Sequence, residues 1–128
     1  MSARVVFIAE SLDNAPLFQS VLSKLGVEIA AGSTLQIEKL FHAKRGQDLV
    51  IFEARGAARF YLDDIIALVE DSSCPLLLIF DESGLSRLQF PSHVPSDFVV
   101  HGATEAECMA RVLRLLGHTT ANAQANVI

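Results

Sequence analysis

Several apolar runs of the sequence end on side chains that could take part in chemistry. Glu10 follows "RVVFIA", Glu53 follows "DLVIF", Asp81 follows "PLLLIF", and His101 ends "DFVVH". Carboxylates and imidazoles are the groups that bind divalent cations or transfer protons in proteins. Each residue taken alone is explained simply as a polar residue at a strand end, because strands end at the surface. The set together is more informative, and its meaning depends on the fold.

Composition indicates one compact domain that does not bind nucleic acid by itself. The chain has 128 residues, and 51% of them are hydrophobic, which is enough for one packed core. Its net charge of −5 and its lack of clustered Lys and Arg argue against contact with a phosphate backbone. The longest apolar run, "CPLLLIF" at 74–80, is too short to span a bilayer, and the first residues do not resemble a signal peptide. We therefore expect a cytoplasmic protein without a membrane contact.

No pattern in the sequence points to a cofactor or a metal. Cys74 and Cys108 lie in apolar patterns without the spacing of a metal or redox motif, so small buried thiols are expected. The segment "AESLDNA" has no glycine and cannot form a phosphate-cradling loop for a dinucleotide or a flavin.

Short apolar runs alternate with stretches of helical period. The predicted strands are 4–9, 27–32, 48–52, 75–80 and 97–101. Helices are predicted at about 15–25, from 33 to about 46, through 62–69, at about 85–90, and from 104 to 117. Their caps are Asp13 or Asn14, Ser33 with Gln36, and Thr104 with Glu107, and Pro91 and Pro95 cut the fourth helix short. The residues expected to face inward are Leu17, Val21, Leu22, Leu25, Ile37, Leu40, Phe41, Leu62, Ile65, Ile66, Val69, Met109, Val112, Leu113 and Leu116.

Near-continuous apolar strands joined by helical connections describe an α/β fold, with a parallel sheet covered on both faces. The predicted domain is 1–117, and residues 118–128 have no period, which is typical of a tail or the start of an interdomain linker. In such sheets the functional crevice lies beyond the carboxyl ends of the strands, where Glu10, Glu53, Asp81 and His101 are expected.

Residues 4–117 resemble the CheY-like receiver domain of two-component response regulators. The stretch "RVVFIAESLDN" followed by "LFQSVLSKLGVEI" is similar to the opening strand, acidic turn and first helix of that family. The stretch "SDFVVHGATEAECMARVLRLLG" resembles the fifth strand and last helix of the branch whose output is a winged-helix DNA-binding domain. The resemblance implies a flavodoxin-like doubly wound (βα)5 three-layer sandwich, with a parallel five-stranded sheet in the order 2-1-3-4-5.

The resemblance does not extend to the residues of phosphoryl transfer. Receivers accept a phosphoryl group on an Asp after strand three, with Mg²⁺ held by an acidic pair, a hydroxyl after strand four, and a Lys before a Pro after strand five. The phosphorylated Asp is matched here by Glu53, and the acidic pair by Ala9 and Glu10. Phe80 occupies the hydroxyl position, His101 the Lys position and Gly102 the Pro position.

Each of these differences weakens the chemistry. Ala9 offers Mg²⁺ no ligand, and the extra methylene of Glu53 would move its carboxylate outward by about 1.5 Å. Phe80 cannot donate a hydrogen bond, and the imidazole of His101 is shorter than Lys and ordinarily mostly neutral at pH 7. Glu10 and Glu53 would be neighbours, but nothing in the sequence adds a substrate cleft to them. We expect a pseudo-receiver without Asp phosphorylation, metal, cofactor or enzyme activity.

Two interpretations of Glu53 remain open. Its permanent negative charge could hold the domain in a state like the active one, or a neighbour such as Arg55 or a protonated His101 could tether it at a strand end. The tether is favoured, because a carboxylate has less charge than the about −1.5 to −2 of a phosphate.

The resemblance also implies a homodimer. The winged-helix branch dimerises through helix four, strand five and helix five, and Asp97 and Arg111 match its interface residues. Phe98 matches its switch aromatic, and with Phe80 and His101 it completes the positions that change in a receiver switch. Alternatively, Asp97 merely begins a strand, Arg111 is a solvated helix residue, and Phe98 is an ordinary apolar strand residue.

Two functions follow. One is the N-terminal dimerisation module of a transcription regulator, with DNA bound by a domain outside this chain. The other is a stand-alone protein-interaction or ligand-sensing domain. A basic extension of about 80 to 110 residues after Ile128 in the full gene would favour the first.

Overall fold

Five strands form one parallel sheet in the computed structural model, which describes residues 4–11, 15–41, 47–87 and 89–125. The strands are β1 Arg4–Ile8, β2 Glu28–Gly32, β3 Leu49–Glu53, β4 Leu76–Phe80 and β5 Ser96–Val100. All four neighbouring pairs are parallel, and the order β2-β1-β3-β4-β5 confirms the predicted flavodoxin-like topology.

The described residues contain four α-helices and three short 3-10 helices, which lie between the strands except for the last α-helix, which follows β5. The α-helices are α1 Ala15–Lys24, α2 Ile37–Phe41, α3 Leu62–Ser72 and α4 Glu105–Ala125. The 3-10 helices are Thr34–Gln36, Gly56–Tyr61 and Glu82–Arg87. The first two lead directly into α2 and α3, so each of these connections begins as a 3-10 helix and continues as an α-helix.

The core has two halves, one on each face of the sheet. On one face, α1 and α4 pack on alternate strand residues, with Phe18, Leu22 and Leu115 among the fully buried side chains. On the other face, α2 and α3 pack on the remaining strand residues, with Ile65 and Val69 at the centre. Because helices cover both faces, every residue of β3 and β4 is buried, which explains their continuous apolar sequence.

Two of the predicted helix caps are found in the structure. The backbone N–H of Ser33 donates to Gln36 Oε1 at 2.9 Å, and the N–H of Glu107 donates to Thr104 Oγ1 at 3.2 Å. Asp13 and Asn14, predicted to cap α1, lie outside the described residues, as does the predicted end of the second helix at 42–46.

The prediction of a fourth helix at about 85–90 is wrong in its position and in its type. The connection from β4 to β5 has only the 3-10 helix Glu82–Arg87, and the described residues 89–95 contain no helix. Pro91 and Pro95 remove backbone donors that a helix would need. Residues 89–95 instead contact neighbouring elements. The N–H of Ser92 donates to Glu70 Oε1 of α3 at 2.6 Å, and the ring of Phe90 lies 6.1 Å from that of Phe98 in β5.

The last helix differs from its prediction in its buried face and in its end. Cys108, Val112 and Leu115 are buried, whereas Leu113, predicted to face inward, is 48% exposed. Val112 is buried as predicted, and Met109 and Leu116 pack partly buried against the same core, so Leu113 alone of the four predicted residues faces away from the sheet. Gly117 does not end α4, which continues to Ala125 and passes the predicted boundary at 117. Glycine keeps helical geometry there at a cost of about 1 kcal/mol relative to alanine.

Both cysteines are buried free thiols, as predicted. Burial raises the pKa of Cys74 to about 12 and also raises that of Cys108. Within the part of the chain that the structure describes, no helix is both long and apolar enough to cross a bilayer.

A pair of leucines in α4 tests which face of this helix is buried. Leu115→Ala should lower the free energy of unfolding by about 2–5 kcal/mol, because it leaves a cavity at a fully buried position. Leu113→Ala, the matched control on the exposed side, should cost less than about 1 kcal/mol. Urea denaturation of both variants measures the difference. Equal losses would contradict the orientation of α4.

Candidate functional site

Glu53 is the last residue of β3, and it is the buried charged residue of the described core, with 4% of its surface exposed. Its Oε1 lies 3.2 Å from Nη1 of Arg55. The two residues are separated by one residue of extended chain, since Arg55 has φ −126° and ψ 152°, and such spacing places both side chains on the same side. A buried carboxylate is tolerated only where it is paired, and Arg55 provides that charge.

Glu10 ties the connection after β1 to the one after β3. Its Oε2 accepts the backbone N–H of Ala57 at 2.8 Å, at the start of the 3-10 helix Gly56–Tyr61. Gly56 has φ +58°, and a Cβ there would lie 2.3 Å from the same Glu10 oxygen. The positive φ therefore favours glycine at this position, and any Cβ there would also force the Glu10 carboxylate to shift.

The other residues predicted for the pocket do not bring polar side chains together beside Glu10 and Glu53. Ala9 is fully buried, and Phe80 is buried in the core on the α3 face of the sheet. His101 is exposed and is followed by Gly102 with φ +96°. A proline, whose ring fixes φ near about −65°, could not adopt that turn.

Asp97 and Arg111 are brought together, but within one chain. Asp97 Oδ2 lies 3.1 Å from Nη1 of Arg111 and 3.2 Å from Nη1 of Arg114. Nη2 of Arg111 is also 3.8 Å from Oε1 of Glu107. Arg114 was not among the residues predicted for this surface, although its position one turn after Arg111 on α4 places both on the same side of the helix. The resulting ion-pair cluster joins the start of β5 to α4.

A cleft of about 250 Å³ opens between the connections that follow β3 and β4. Its lining residues are Ala54, Arg55, Gly56, Arg59, Phe60, Leu62, Phe80, Asp81, Ser83 and Gly84. Sequence analysis placed Glu53, Phe80 and Asp81 near such a crevice but missed Arg59, Phe60 and Ser83. The signal that could have found them is their position a few residues after a strand end, where loop side chains surround the crevice.

Asp81 is held in one orientation inside this cleft. Its Oδ1 accepts hydrogen bonds from Oγ of Ser83 at 2.8 Å and from the backbone N–H of Gly84 at 2.9 Å. The Ser83 hydroxyl contributes most to lowering the pKa of Asp81, and the Gly84 N–H and the positive charge of Arg55 lower it further. The carboxylate is therefore ionised at neutral pH, with part of its acceptor capacity already used by its own loop.

Comparison with known proteins gives matches in structure only. No family model and no curated protein matches the sequence. A response regulator receiver domain protein from Clostridium thermocellum superposes with a TM-score of 0.77 at 11% identity, over 93% of this chain and 98% of that chain. The chain has the receiver fold. The signal receiver domain of an HD-domain-containing protein from Pseudomonas fluorescens Pf-5 gives 0.73 at 14% identity, over 96% of this chain and 93% of that one. NtrX from Brucella abortus gives 0.74 at 15% identity, over 98% of this chain but 29% of that chain.

The residues at the receiver pocket do not fit a magnesium ion. Mg²⁺ requires several oxygen ligands in octahedral geometry. Here Ala9 supplies none, Glu10 accepts the Ala57 N–H, and Glu53 is buried against Arg55. Over residues 4–11, 15–41, 47–87 and 89–125, no three His, Cys, Asp or Glu side chains are grouped so that they could hold a metal.

The hydrogen bond from Ser83 predicts how Asp81 titrates. Ser83→Ala should raise the pKa of Asp81 toward its ordinary value, because the largest favourable contact to the carboxylate is lost. A titration of the Asp81 carboxyl carbon by NMR measures this pKa. Ser86→Ala, an exposed serine in the same 3-10 helix, is the control and should leave it unchanged.

The same contact sets the direction of a pH effect on stability. The pKa of Asp81 is lower in the folded chain than in the unfolded chain, so its stabilising contribution is present above the unfolded pKa. That contribution is lost as the pH falls through the folded pKa, and Ser83→Ala should reduce the acid-dependent part of the loss. An unchanged Asp81 pKa in Ser83→Ala would mean that the hydrogen bond is not made in solution.

Proposed function

We propose that this chain is an atypical receiver domain, the regulatory module of a two-component-type response regulator, and that it signals without phosphorylation of an aspartate. The observation that carries the proposal is the state of Glu53. It stands at the end of β3, where a receiver has its phosphoacceptor, and it is buried and paired with Arg55 at 3.2 Å.

The surroundings of Glu53 support the same proposal. A phosphoryl group needs an in-line approach to the acceptor and positive charge around its oxygens. Nη1 of Arg55 is already engaged by Glu53, and the Phe80 ring is buried where receivers have a hydroxyl. Oε2 of Glu10 already accepts the Ala57 N–H. The chemistry that remains is that of a binding module and not of an enzyme.

The ion pair also bears on the two interpretations of Glu53. A phosphate mimic has to display negative charge, but the Glu53 carboxylate is 4% exposed and faces a guanidinium. This geometry favours Glu53 as a tethered strand end. We therefore propose that the domain is regulated through its surfaces and that Glu53 is not a constitutive activation signal.

We further propose that the domain is the N-terminal dimerisation module of a cytoplasmic DNA-binding regulator. The interface would use β5 and α4, where Asp97 is 11% exposed and is contacted by Arg111 and Arg114. Such a cluster can exchange partners across a two-fold axis, because the same charges are present on both subunits. The match to 29% of NtrX supports the use of this fold as one part of a longer chain.

The alternative is a stand-alone domain that binds a protein or a small ligand. One observation favours it, the cleft of about 250 Å³ beside Arg55 and Asp81. A second is that the β4–β5 connection lacks the α-helix of the receiver dimer face over its described residues. A dimer that used this face would need contacts from β5 and α4 alone.

Phosphorylation is tested directly by incubating the chain with acetyl phosphate and Mg²⁺ and measuring the intact mass. We expect no phosphoryl adduct. Glu53→Asp is the matched variant, and it should also remain unmodified, because Ala9 and Phe80 still provide neither a metal ligand nor a hydroxyl. A phosphoryl adduct on the unaltered chain would refute the proposal. An adduct only on Glu53→Asp would show that the rest of the pocket still works and that Glu53 alone blocks the reaction.

Assembly is tested by sedimentation over a range of protein concentrations, with and without Mg²⁺ and beryllofluoride. We expect a dimer that is indifferent to both additives. Arg111→Glu should give a monomer, because it reverses a charge within the Asp97 cluster. Lys39→Glu, the same charge reversal at an exposed residue of α2 on the opposite face of the sheet, should remain dimeric. A dimer that persists in Arg111→Glu would place the interface elsewhere, and a monomer at all concentrations would favour the stand-alone alternative.

A further inference from the structure

We propose that the cleft between the connections after β3 and β4 binds a small anionic molecule, a carboxylate or a phosphate ester with an apolar body, through Arg55 and Arg59. These two arginines line the cleft from one side. Phe60, Leu62 and Phe80 provide its apolar surface. The combination of a few polar groups with apolar walls is typical of small-molecule sites.

Arg55 has a donor that its ion pair does not use. Its Nη1 contacts Glu53, whereas its Nε is buried and has no hydrogen-bond partner among the described residues. Burial of an N–H without a partner costs about 1–3 kcal/mol, so a turn of the guanidinium that brings this N–H to a ligand oxygen in the cleft would remove the cost. A guanidinium binds a carboxylate or a phosphate with two parallel hydrogen bonds, which the fork of Arg55 can provide.

Arg59 adds a second positive charge close to an exposed aromatic ring. Its guanidinium carbon lies 5.1 Å from the ring centroid of Phe60, and Phe60 is 74% exposed. Exposure of a large apolar side chain to water is unfavourable in free energy. A ligand with an apolar body would cover the Phe60 ring while its anionic group binds the two arginines.

The negative charges around the cleft do not cancel this preference. Glu53 is buried, and its charge is opposed by Arg55. Asp81 lines the cleft, but its Oδ1 is occupied by the Ser83 hydroxyl and the Gly84 N–H. Among the described residues, the positive charges that line the cleft belong to Arg55 and Arg59, which favours a ligand with negatively charged oxygens.

The size of the cleft limits the ligand. Sites for drug-sized molecules usually have about 300–1,000 Å³, so a cleft of about 250 Å³ suits a smaller molecule, such as one aromatic ring with one acidic group. The inference rests on the proposed function in one respect, since such a ligand would be the input of a receiver domain that no phosphoryl group switches.

The test is an NMR titration of the isotope-labelled chain with benzoate and phenyl phosphate. Both should shift the amide signals of Gly56 and Gly84 and the Nε–H signal of Arg55. Benzamide, a neutral molecule of the same shape as benzoate, should bind at least about tenfold more weakly, since it lacks the charge that strengthens hydrogen bonds to arginine. Inorganic phosphate should also bind more weakly, because it has no apolar body. The two anions together show whether the site prefers a carboxylate or a phosphate.

Two variants assign the binding to the proposed arginines. Arg59→Gln removes a charge without touching the Glu53 ion pair and should weaken benzoate about tenfold. Arg55→Lys keeps a charge beside Glu53 but loses Nε and the planar fork, so it should also weaken binding without exposing a buried unpaired carboxylate. Arg114→Gln, which lies on α4 with its guanidinium at Asp97, is the control and should bind as the unaltered chain does.

Several results would overturn the inference. Benzoate and phenyl phosphate could shift the signals no more than benzamide, or they could bind Arg59→Gln and Arg55→Lys as tightly as the unaltered chain. Equal binding of inorganic phosphate and phenyl phosphate would refute the apolar part of the site. A phosphoryl adduct with acetyl phosphate would refute the proposed function and leave this inference standing, so the two failures can be told apart.

Discussion

The structure around the carboxyl ends of the strands depends on one constraint, the burial of a carboxylate at the end of β3. A strand that is covered by helices on both faces has no solvated side for a charge, so Glu53 must be paired by the chain itself. Arg55 meets that need only if the chain stays extended for two more residues before it turns. The turn then comes at Gly56, and the 3-10 helix that follows places Arg59 and Phe60 beside the cleft.

The residues that stabilise the fold are largely different from the residues at the pocket positions. The sheet order and the two halves of the core are those of the receiver fold, and they depend on apolar side chains that are far from the pocket. The pocket positions contribute little to that core apart from Ala9 and Phe80, which are buried in it. A fold held together in this way can lose its phosphoryl chemistry without losing stability, and its crevice then becomes available for another kind of contact.

The sequence predicted the strands well because each is a short apolar run between polar residues, and the burial of β3 and β4 on both faces is what makes such runs continuous. The strand order came only from the family resemblance, since periodicity does not say which strands are neighbours. On α4, Leu113 was predicted to face inward but is exposed, whereas Cys108 and Leu115 are buried, because the apolar residues cover more of the helix than one stripe and packing decides which of them face the sheet. A crevice was predicted at this edge of the sheet, but Arg59 and Phe60 were missed as part of its lining, because they look like ordinary surface residues until the fold places them there. Arg55 was one of the two tethers considered for Glu53, and the contact between them follows from spacing along an extended chain, which is a local property.

The contact between Glu10 and the turn at Gly56 has a consequence for how this protein can vary among its relatives. Any side chain at position 56 would displace the Glu10 carboxylate, and any shorter residue at position 10 would leave the Ala57 N–H without its acceptor. The two positions are 46 residues apart in sequence but are in direct contact in the fold, so a change at one affects the other. We therefore expect glutamate at the first position and glycine at the second to be inherited as a pair, so that an alignment of relatives would show the two columns changing together.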